Sequence, residues 1–304
     1  MLKTKKLASG SKGSSDNKAS IVALDIGGTK IVIALFRQGK LQSLSKIATP
    51  IQFKRQQFIN HLLELVKRWR EQDTKAIGIS FAGQVNKAGL IVQAPNLPQL
   101  DGVTLAKIIK NQLGLPAIIA NDGDCYLQAE LSQGKARGQQ HVLAFVLGTG
   151  VGGAFTHSGQ ARPGQVCEPG HLLYRPGGRA CYCGHKGCVE QYLGGKALAR
   201  QAGMPDAKAV FLAAKQGNKK ALRLVQEAGE ALGWLLNTAV KLVGPELVIL
   251  GGSMAAAWPA LKPFAWPIYQ AAKPLLGKLP SVTRGKFSEA STLGAALLAW
   301  EILK

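Results

Sequence analysis

A glycine-rich break inside an apolar run constrains this chain more than any other feature. In "LDIGGTKIVIALF", residues 24 to 36, an acid, two glycines, a threonine and a lysine interrupt what would otherwise read as one long buried strand. The insertion predicts two strands joined by a turn, because Gly27 and Gly28 have no side chain to hold a ligand away from the backbone. Amides exposed in such a turn, with the Thr29 hydroxyl and the Lys30 ammonium beside them, favour an anionic guest, with phosphate the first candidate. An ordinary hairpin turn fits the same residues.

The pattern returns about 120 residues later in "HVLAFVLGTGVGGAF", residues 141 to 155. Each unit opens one half of the chain, so two related lobes facing a shared cleft are expected. The stretch "LGTGVGG" looks like a dinucleotide fingerprint, but that motif opens a helix and here "AF" resumes a strand, which argues against a Rossmann domain. Around these units the elements alternate. Ile59, Leu62, Leu63, Val66 and Trp69 recur at helical spacing, and "KAIGISFAG" (75 to 83) reads as a strand. A helix from Thr104 to Leu113 is expected to stop at Gly114 and Pro116, ahead of a buried strand "AIIA" at 117 to 120. A helix over 219 to 243, a strand "ELVILGG" at 246 to 252, further helix, a strand near Val282 and a closing helix from Leu293 complete an α/β pattern.

Composition bounds the alternatives. A chain of 304 residues with 46% apolar and 18% charged residues can bury a core in each of two domains. No apolar run reaches the roughly 18 residues of a membrane span, so no membrane role is expected. Residues 1–20 are rich in Lys, Ser and Gly and lack the apolar core of a secretory signal, so a flexible basic tail and a cytoplasmic location are expected. The formal charge is +21, of which the tail holds five lysines and one aspartate. The basicity therefore belongs to the body, and it suits an anionic small substrate or a solvated surface. No helix-turn-helix, basic aromatic strand or finger spacing accompanies it to suggest nucleic acid.

The strand ends carry the chemistry. "AIIANDGDCYLQAE" runs from a buried strand into a helix, which sets Asn121 and Asp122 at the carboxyl edge of a sheet, where α/β proteins place ligands. A carboxylate there can take a proton from a substrate hydroxyl; alternatively, Asp122 or Asp124 caps the helix. Further on, His171, Cys181, Cys183 and Cys188 give H-x9-C-x-C-x4-C, with Gly184 and Gly187 letting the chain fold back. Three thiolates and one imidazole suit a closed, structural tetrahedral zinc site, with His185 an alternative nitrogen ligand. Cys125 and Cys167 stand outside the cluster and read as packing residues.

On these residues the chain resembles the ROK family of bacterial sugar kinases, transcriptional repressors and related proteins, from Ile21 to the C-terminus. The matching motifs are "DIGGTK", "PNL" at 95 to 97, "ND" at 121 and 122, "LGTGVGG", E-x-G-H at 168 to 171, C-x-C-G-x-x-G-C-x-E at 181 to 190, and "LGAA" at 293 to 296. The resemblance implies a two-lobed actin-like (ribonuclease H-like) ATPase fold of the hexokinase type. Its N-terminal lobe would span 21–120 and its C-terminal lobe, with the zinc loop, 121–304, the last helix packing back on the first lobe.

It further implies an ATP-dependent, Mg²⁺-requiring sugar kinase acting on the 6-hydroxyl of a hexose. Asp25, Gly27, Gly28, Thr29 and Lys30 would form one phosphate loop and Gly148, Thr149, Gly150 and Gly152 the other, with Gly251 and Gly252 also at the nucleotide. Asp122 would be the general base. Asn96, Asn121, Glu168, His171 and Glu190 would join it around the sugar, and His171, Cys181, Cys183 and Cys188 would hold zinc. Glucose comes first among substrates, with N-acetylglucosamine, N-acetylmannosamine, mannose and fructose as alternatives, and a homodimer is implied. The other functional class is a sugar-sensing regulator, but only 20 polar residues stand where a DNA-binding domain would be needed. Two departures from the family pattern bear on the sugar. "FAGQVN" puts Ala82 in place of a proline and Asn86 in place of an acid, and "GDCYLQAE" follows Asp122 where an Ala/Asn-rich run is usual.

Overall fold

The computed structural model describes residues 19–304. Strands β1 (Ser20–Ile26), β2 (Lys30–Arg37) and β3 (Lys40–Ala48) form an antiparallel meander. The tail expected over 1–20 lies outside the described residues up to residue 18, while Ser20 already belongs to β1, its hydroxyl bonded to Asp73 and Thr74. Helix α1 (Arg55–Trp69) buries Phe58, Ile59, Leu62, Leu63 and Val66 on one face, the stripe that the 3.6-residue period requires. Strand β4 (Thr74–Phe81) then runs parallel to β1. A short ribbon, β5 (Gln84–Val85) and β6 (Ile91–Gln93), precedes α2 (Leu105–Leu113), which stops at Gly114 with φ of 70°. Strand β7 (Ala117–Asn121) completes a sheet of order β3-β2-β1-β4-β7.

Helix α3 (Asp122–Gln133) leads to the second hairpin, β8 (Val142–Leu147) and β9 (Val151–Thr156). The glycine-rich turn is thus followed by a strand, as its sequence requires. After the cysteine-rich segment come α4 (Glu190–Leu193), α5 (Gly195–Ala202), α6 (Ala207–Lys215) and α7 (Lys219–Val243), the last with the limits expected of it. Strand β10 (Leu247–Gly251), helices α8 (Trp258–Gln270) and α9 (Lys273–Leu276), strand β11 (Ser281–Arg284) and helix α10 (Ala290–Glu301) end the chain. The second sheet has the order β11-β10-β8-β9 and, among the described residues, no counterpart of β3.

Helices α3 and α10 lie between the sheets. One core joins Ile21, Ala23 and Ala76 of the first sheet, Val142, Ala144 and Ile249 of the second, and Leu127, Leu293 and Ala296 of the two helices. Burying each larger aliphatic side chain there contributes roughly 1.5–3 kcal/mol. Helix α10 starts at Ala290, three residues before the expected Leu293, and packs on β4 so closely that a β-carbon at Gly78 would collide with the Ala295 carbonyl. Its Gly294 touches the Cys125 carbonyl of α3 in the same way. Among the described residues no helix is long and apolar enough to cross a membrane.

Candidate active site and metal centre

Strand register sets the first half of the site. Asp25 pairs with Ser80, and Ser80 with Ala120, so Asp25, Ser80 and the following Asn121–Asp122 gather at one edge of the first sheet. Ser80, fully buried, donates a 2.6 Å hydrogen bond to Asp25 Oδ1. The turn between β1 and β2 is closed by Gly27 N–H on the Lys30 carbonyl, and the Thr49 hydroxyl donates to the Gly27 carbonyl at 2.6 Å. Thr29 and Lys30 are exposed beside it. A β-carbon on Gly28 would lie 2.5 Å from Asn96 Cβ, so this turn and Asn96 are in contact.

The second half comes from the other sheet. Val146 pairs with Gly251, so the β8–β9 turn and the Gly251–Gly252 pair sit side by side. Gly252, at φ of 78°, packs on the Leu147 carbonyl where no side chain fits. The Gly148 and Thr149 carbonyls accept from the N–H groups of Gly195 and Lys196, which ties this turn to the start of α5. Gly150 packs on the Glu190 carboxylate, whose Oε2 accepts from Val151 N–H at 2.9 Å. Gly152 is open, with space where a β-carbon would point.

Asn121, not Asp122 or Asp124, caps α3. Its Oδ1 accepts from Gly123 N–H at 2.8 Å and its Nδ2 donates to the Gly83 carbonyl at 2.8 Å, leaving one N–H and one lone pair uncommitted. Among the described residues Asp122 Oδ1 accepts only from Gly123 N–H, at 3.0 Å. Burial, and next the Asp25 carboxylate, push the Asp122 carboxyl up to about 7. Burial likewise raises Asp25, against the Ser80 hydrogen bond, and raises Glu168, against a hydrogen bond from Gln84. Acids from both halves of the chain therefore share one poorly solvated cleft, an arrangement that holds a proton near neutrality and attracts cations. Cavities of about 360 Å³, beside Gln128 and Glu301, and about 300 Å³, beside Lys40 and Glu289, lie elsewhere and include none of the expected site residues.

The cysteine-rich segment folds as a knuckle. Gly184 and Gly187 have φ of 90° and 98°, and Leu173 bridges to Cys188 and Ala180 to Lys186. All five cysteines are free thiols. One ring nitrogen of His171 and the sulfurs of Cys181, Cys183 and Cys188 lie within 4.8 Å of one another. Cys183 and Cys188 Sγ are 3.5 Å apart, and Cys181 Sγ is 3.6 Å from His171 Nδ1. A tetrahedron with metal–sulfur bonds of about 2.3 Å has edges of about 3.8 Å, so the residues fit a zinc ion with no open position. His171 and not His185 enters this cluster; His185 is exposed, its Nδ1 3.6 Å from Cys183 Sγ. Arg179 fastens the knuckle to α7 by a 2.5 Å ion pair with Glu227.

Several contacts at the site escape sequence reasoning. Gln84 Nε2 donates to Glu168 Oε1 at 3.3 Å across the cleft, and Tyr182 Oη lies 2.9 Å from His171 Nε2. Asp124, 5% exposed, accepts from Gly164 N–H, which fixes the segment before Glu168. Asn86 accepts from the N–H groups of Ala88 and Leu90, making the turn of the β5–β6 ribbon. The only signals in the sequence were the departures at "FAGQVN" and "GDCYLQAE", which marked the places but not the partners. Cys125 is buried, as expected of a packing residue, and Cys167 is partly buried.

The chain is 28% identical over 265 residues to a glucokinase of Thermotoga maritima, covering 79% of this chain and 84% of that protein. It is 30% identical over 288 residues to an N-acetylmannosamine kinase of Escherichia coli, covering 91% and 97%. The structure superposes on a ROK family glucokinase from Streptomyces griseus, determined in complex with glucose and AMPPNP, with a TM-score of 0.80 and 25% identity over 93% of this chain and all of that one. Two β-hairpin lobes, with α3 and α10 between them, form the actin-like ATPase architecture of those kinases. Residues 21–302 match the ROK family model, and the chain belongs to the ROK family.

Proposed function

We propose that this protein is an ATP-dependent hexose kinase that phosphorylates the 6-hydroxyl, with glucose the first substrate and N-acetylmannosamine the next. The observation that carries this reading is the position of Asp122, a carboxyl at the start of α3 between two glycine turns, held near neutrality by burial and by Asp25. A base for a sugar hydroxyl needs that pKa. Asp122 takes the proton of the 6-hydroxyl as its oxygen attacks the γ-phosphorus, and ADP leaves with the electrons of the broken P–O bond. Asn96, Asn121, Glu168 and Glu190 hold the remaining hydroxyls.

The turns at Asp25–Lys30 and Gly148–Gly152 present backbone N–H groups to the phosphates, and Gly251–Gly252 lets the nucleotide lie against β10. Mg²⁺, when bound with ATP, neutralises phosphate charge, and the acids of the cleft are suited to hold it. Zinc at His171, Cys181, Cys183 and Cys188 does no bond chemistry and fixes the segment carrying Glu168 and Glu190. The reading places the protein in the cytoplasm, as a homodimer, with no nucleic-acid partner.

The test is ADP release with ATP, Mg²⁺ and a panel of glucose, mannose, fructose, N-acetylglucosamine and N-acetylmannosamine. Turnover with glucose above the others is expected. Sugar binding without turnover would replace the kinase by a sugar-sensing regulator.

A further inference from the structure

Glu168 has a fixed backbone and a side chain that something else must aim. The Pro169–His171 turn after it packs on β9, where a β-carbon at Gly153 would lie 2.8 Å from Pro169 Cγ and one at Gly170 would run into the Val151 carbonyl. The His171 N–H donates to the Glu168 carbonyl at 3.1 Å. The carboxylate itself is taken up from the other half of the chain, by the 3.3 Å hydrogen bond from Gln84 Nε2 to Oε1. Gln84 is pinned in turn. It pairs with Gln93 in the β5–β6 ribbon, and the carbonyl before it, that of Gly83, accepts from Asn121 Nδ2 at 2.8 Å. The ribbon also meets the segment before Glu168 without help from the Gln84 side chain. A β-carbon on Gly164, at φ of 84°, would lie 2.5 Å from Lys87 N, and the Gly164 N–H donates to Asp124 Oδ2 at 3.2 Å. Backbone packing already joins the two surfaces, so what the Gln84 amide adds is the direction of the carboxylate.

Resting on the kinase reading, we infer that Gln84 is a positioning residue for the sugar: by holding Oε1 of Glu168 it leaves Oε2 to accept from one hydroxyl of the hexose. A glutamate side chain has three torsions, and freezing a free one against a ligand costs affinity. A partner that orders it beforehand removes that cost. An amide suits the task, because a lysine or arginine here would offset the charge that makes the carboxylate a strong acceptor, and a second carboxylate would repel it. The neutral N–H does neither. Gln84 stands in "FAGQVN", the stretch whose departures at Ala82 and Asn86 bear on the sugar. The same ribbon therefore delivers a donor from the first lobe to a sugar acid of the second.

The test is a double-mutant cycle on sugar affinity, using the full chain. Gln84→Leu keeps most of the side chain's bulk and removes the donor. Its Kd for the hexose that wild type binds most tightly, read by calorimetry, should rise about three- to tenfold, the range of one hydrogen bond of ordinary strength, with KM for ATP unchanged. In a Glu168→Ala background the same substitution should leave Kd unchanged, because the group through which Gln84 acts is gone. Where Glu168→Ala binds too weakly to titrate, Glu168→Gln takes its place, and the penalty should shrink there by at least about half, as for a neutral acceptor in place of a charged one. Gln84→Glu, nearly the same in shape, sets a like charge against Glu168 and should weaken binding more than Gln84→Leu; it also carries the test if the leucine variant does not fold. No penalty in the wild-type background would overturn the inference. So would an equal penalty in both backgrounds, which makes Gln84 only a support of the ribbon, or a Gln84→Glu variant that binds as well as wild type. If wild type binds sugar but turns none over, the kinase reading fails alone, since the cycle is read on Kd. If it binds no sugar, the positioning role falls with that reading.

Discussion

Replacing Asp122 with Asn should make the protein more stable while disabling it. The amide is nearly isosteric, and its oxygen can keep the 3.0 Å hydrogen bond from Gly123 N–H. A carboxyl pushed from 3.8 to about 7 carries at most about 4 kcal/mol of electrostatic cost once ionised. The effective dielectric of a protein interior and relaxation around the charge reduce it, which leaves about 1–2 kcal/mol to be recovered. The sign follows from linkage. Because the folded value lies above the unfolded one, the native state holds the proton more tightly, and wild-type stability declines as pH rises from about 4 through about 7. The variant lacks that decline. Thermal melts at pH 8 should therefore show Tm higher than wild type by about 2–6 °C, and the gap should close toward pH 4. In parallel, kcat should fall at least about a hundredfold, and the acid limb of the wild-type kcat/KM profile, which tracks ionisation of Asp122, should disappear. A variant that melts lower than wild type at pH 8, or that turns over normally, would refute the assignment of a strained base at this position.

Two further substitutions probe the frame around the base. Cys183→Ser should lower zinc content from one per chain, measured by metal analysis, and raise the sugar KM about 10- to 100-fold with a smaller change for ATP, since the phosphate turns lie elsewhere; equal weakening of both in a folded variant would make the knuckle a general clamp. Gly28→Ala would put a β-carbon 2.5 Å from Asn96 Cβ, so it should cost about 1–3 kcal/mol, seen as a lower Tm, and raise KM for ATP and sugar together. Unchanged kinetics would separate the first turn from Asn96.

What the sequence disclosed and what it hid divide along a physical line. The two glycine turns, the knuckle spacing and the Asn121–Asp122 strand end were legible because each depends on residues close together in the chain, where backbone conformation and ligand geometry leave few alternatives. Strand β3 was not. Its Leu41, Leu44 and Ile47 are spaced by three with Lys, Ser and Gln between them, which matches no period of two. As an edge strand it carries one exposed side and charged residues such as Lys40 and Lys46, so burial wrote little into it. The cap of α3 was legible as a position but not as a residue, since Asn121, Asp122 and Asp124 are all competent caps, and only the Gly83 carbonyl across the site decides for Asn121.

Contacts between distant segments decide the rest, and they explain why the cleft is acidic in a strongly basic protein. Asp25 is neighboured by Ser80, Glu168 by Gln84, and Asp122 by both Asp25 and Glu168, pairs set by sheet register and by the crossing of α3 and α10 between the lobes. None of these carboxylates has an ion pair within the chain among the described residues, although 38 Lys and Arg stand against 17 Asp and Glu. Cations were available in excess, yet the hydrogen bonds to these acids come from hydroxyl, amide and backbone N–H groups, and Lys30 acts on Asp25 only through its field. Neutral donors hold a carboxylate in place without cancelling its charge, so its attraction for a cation and its appetite for a proton survive folding. The base and the cation-holding pocket proposed above would both use that charge, and Ser80, Gln84 and Gly123 leave it intact.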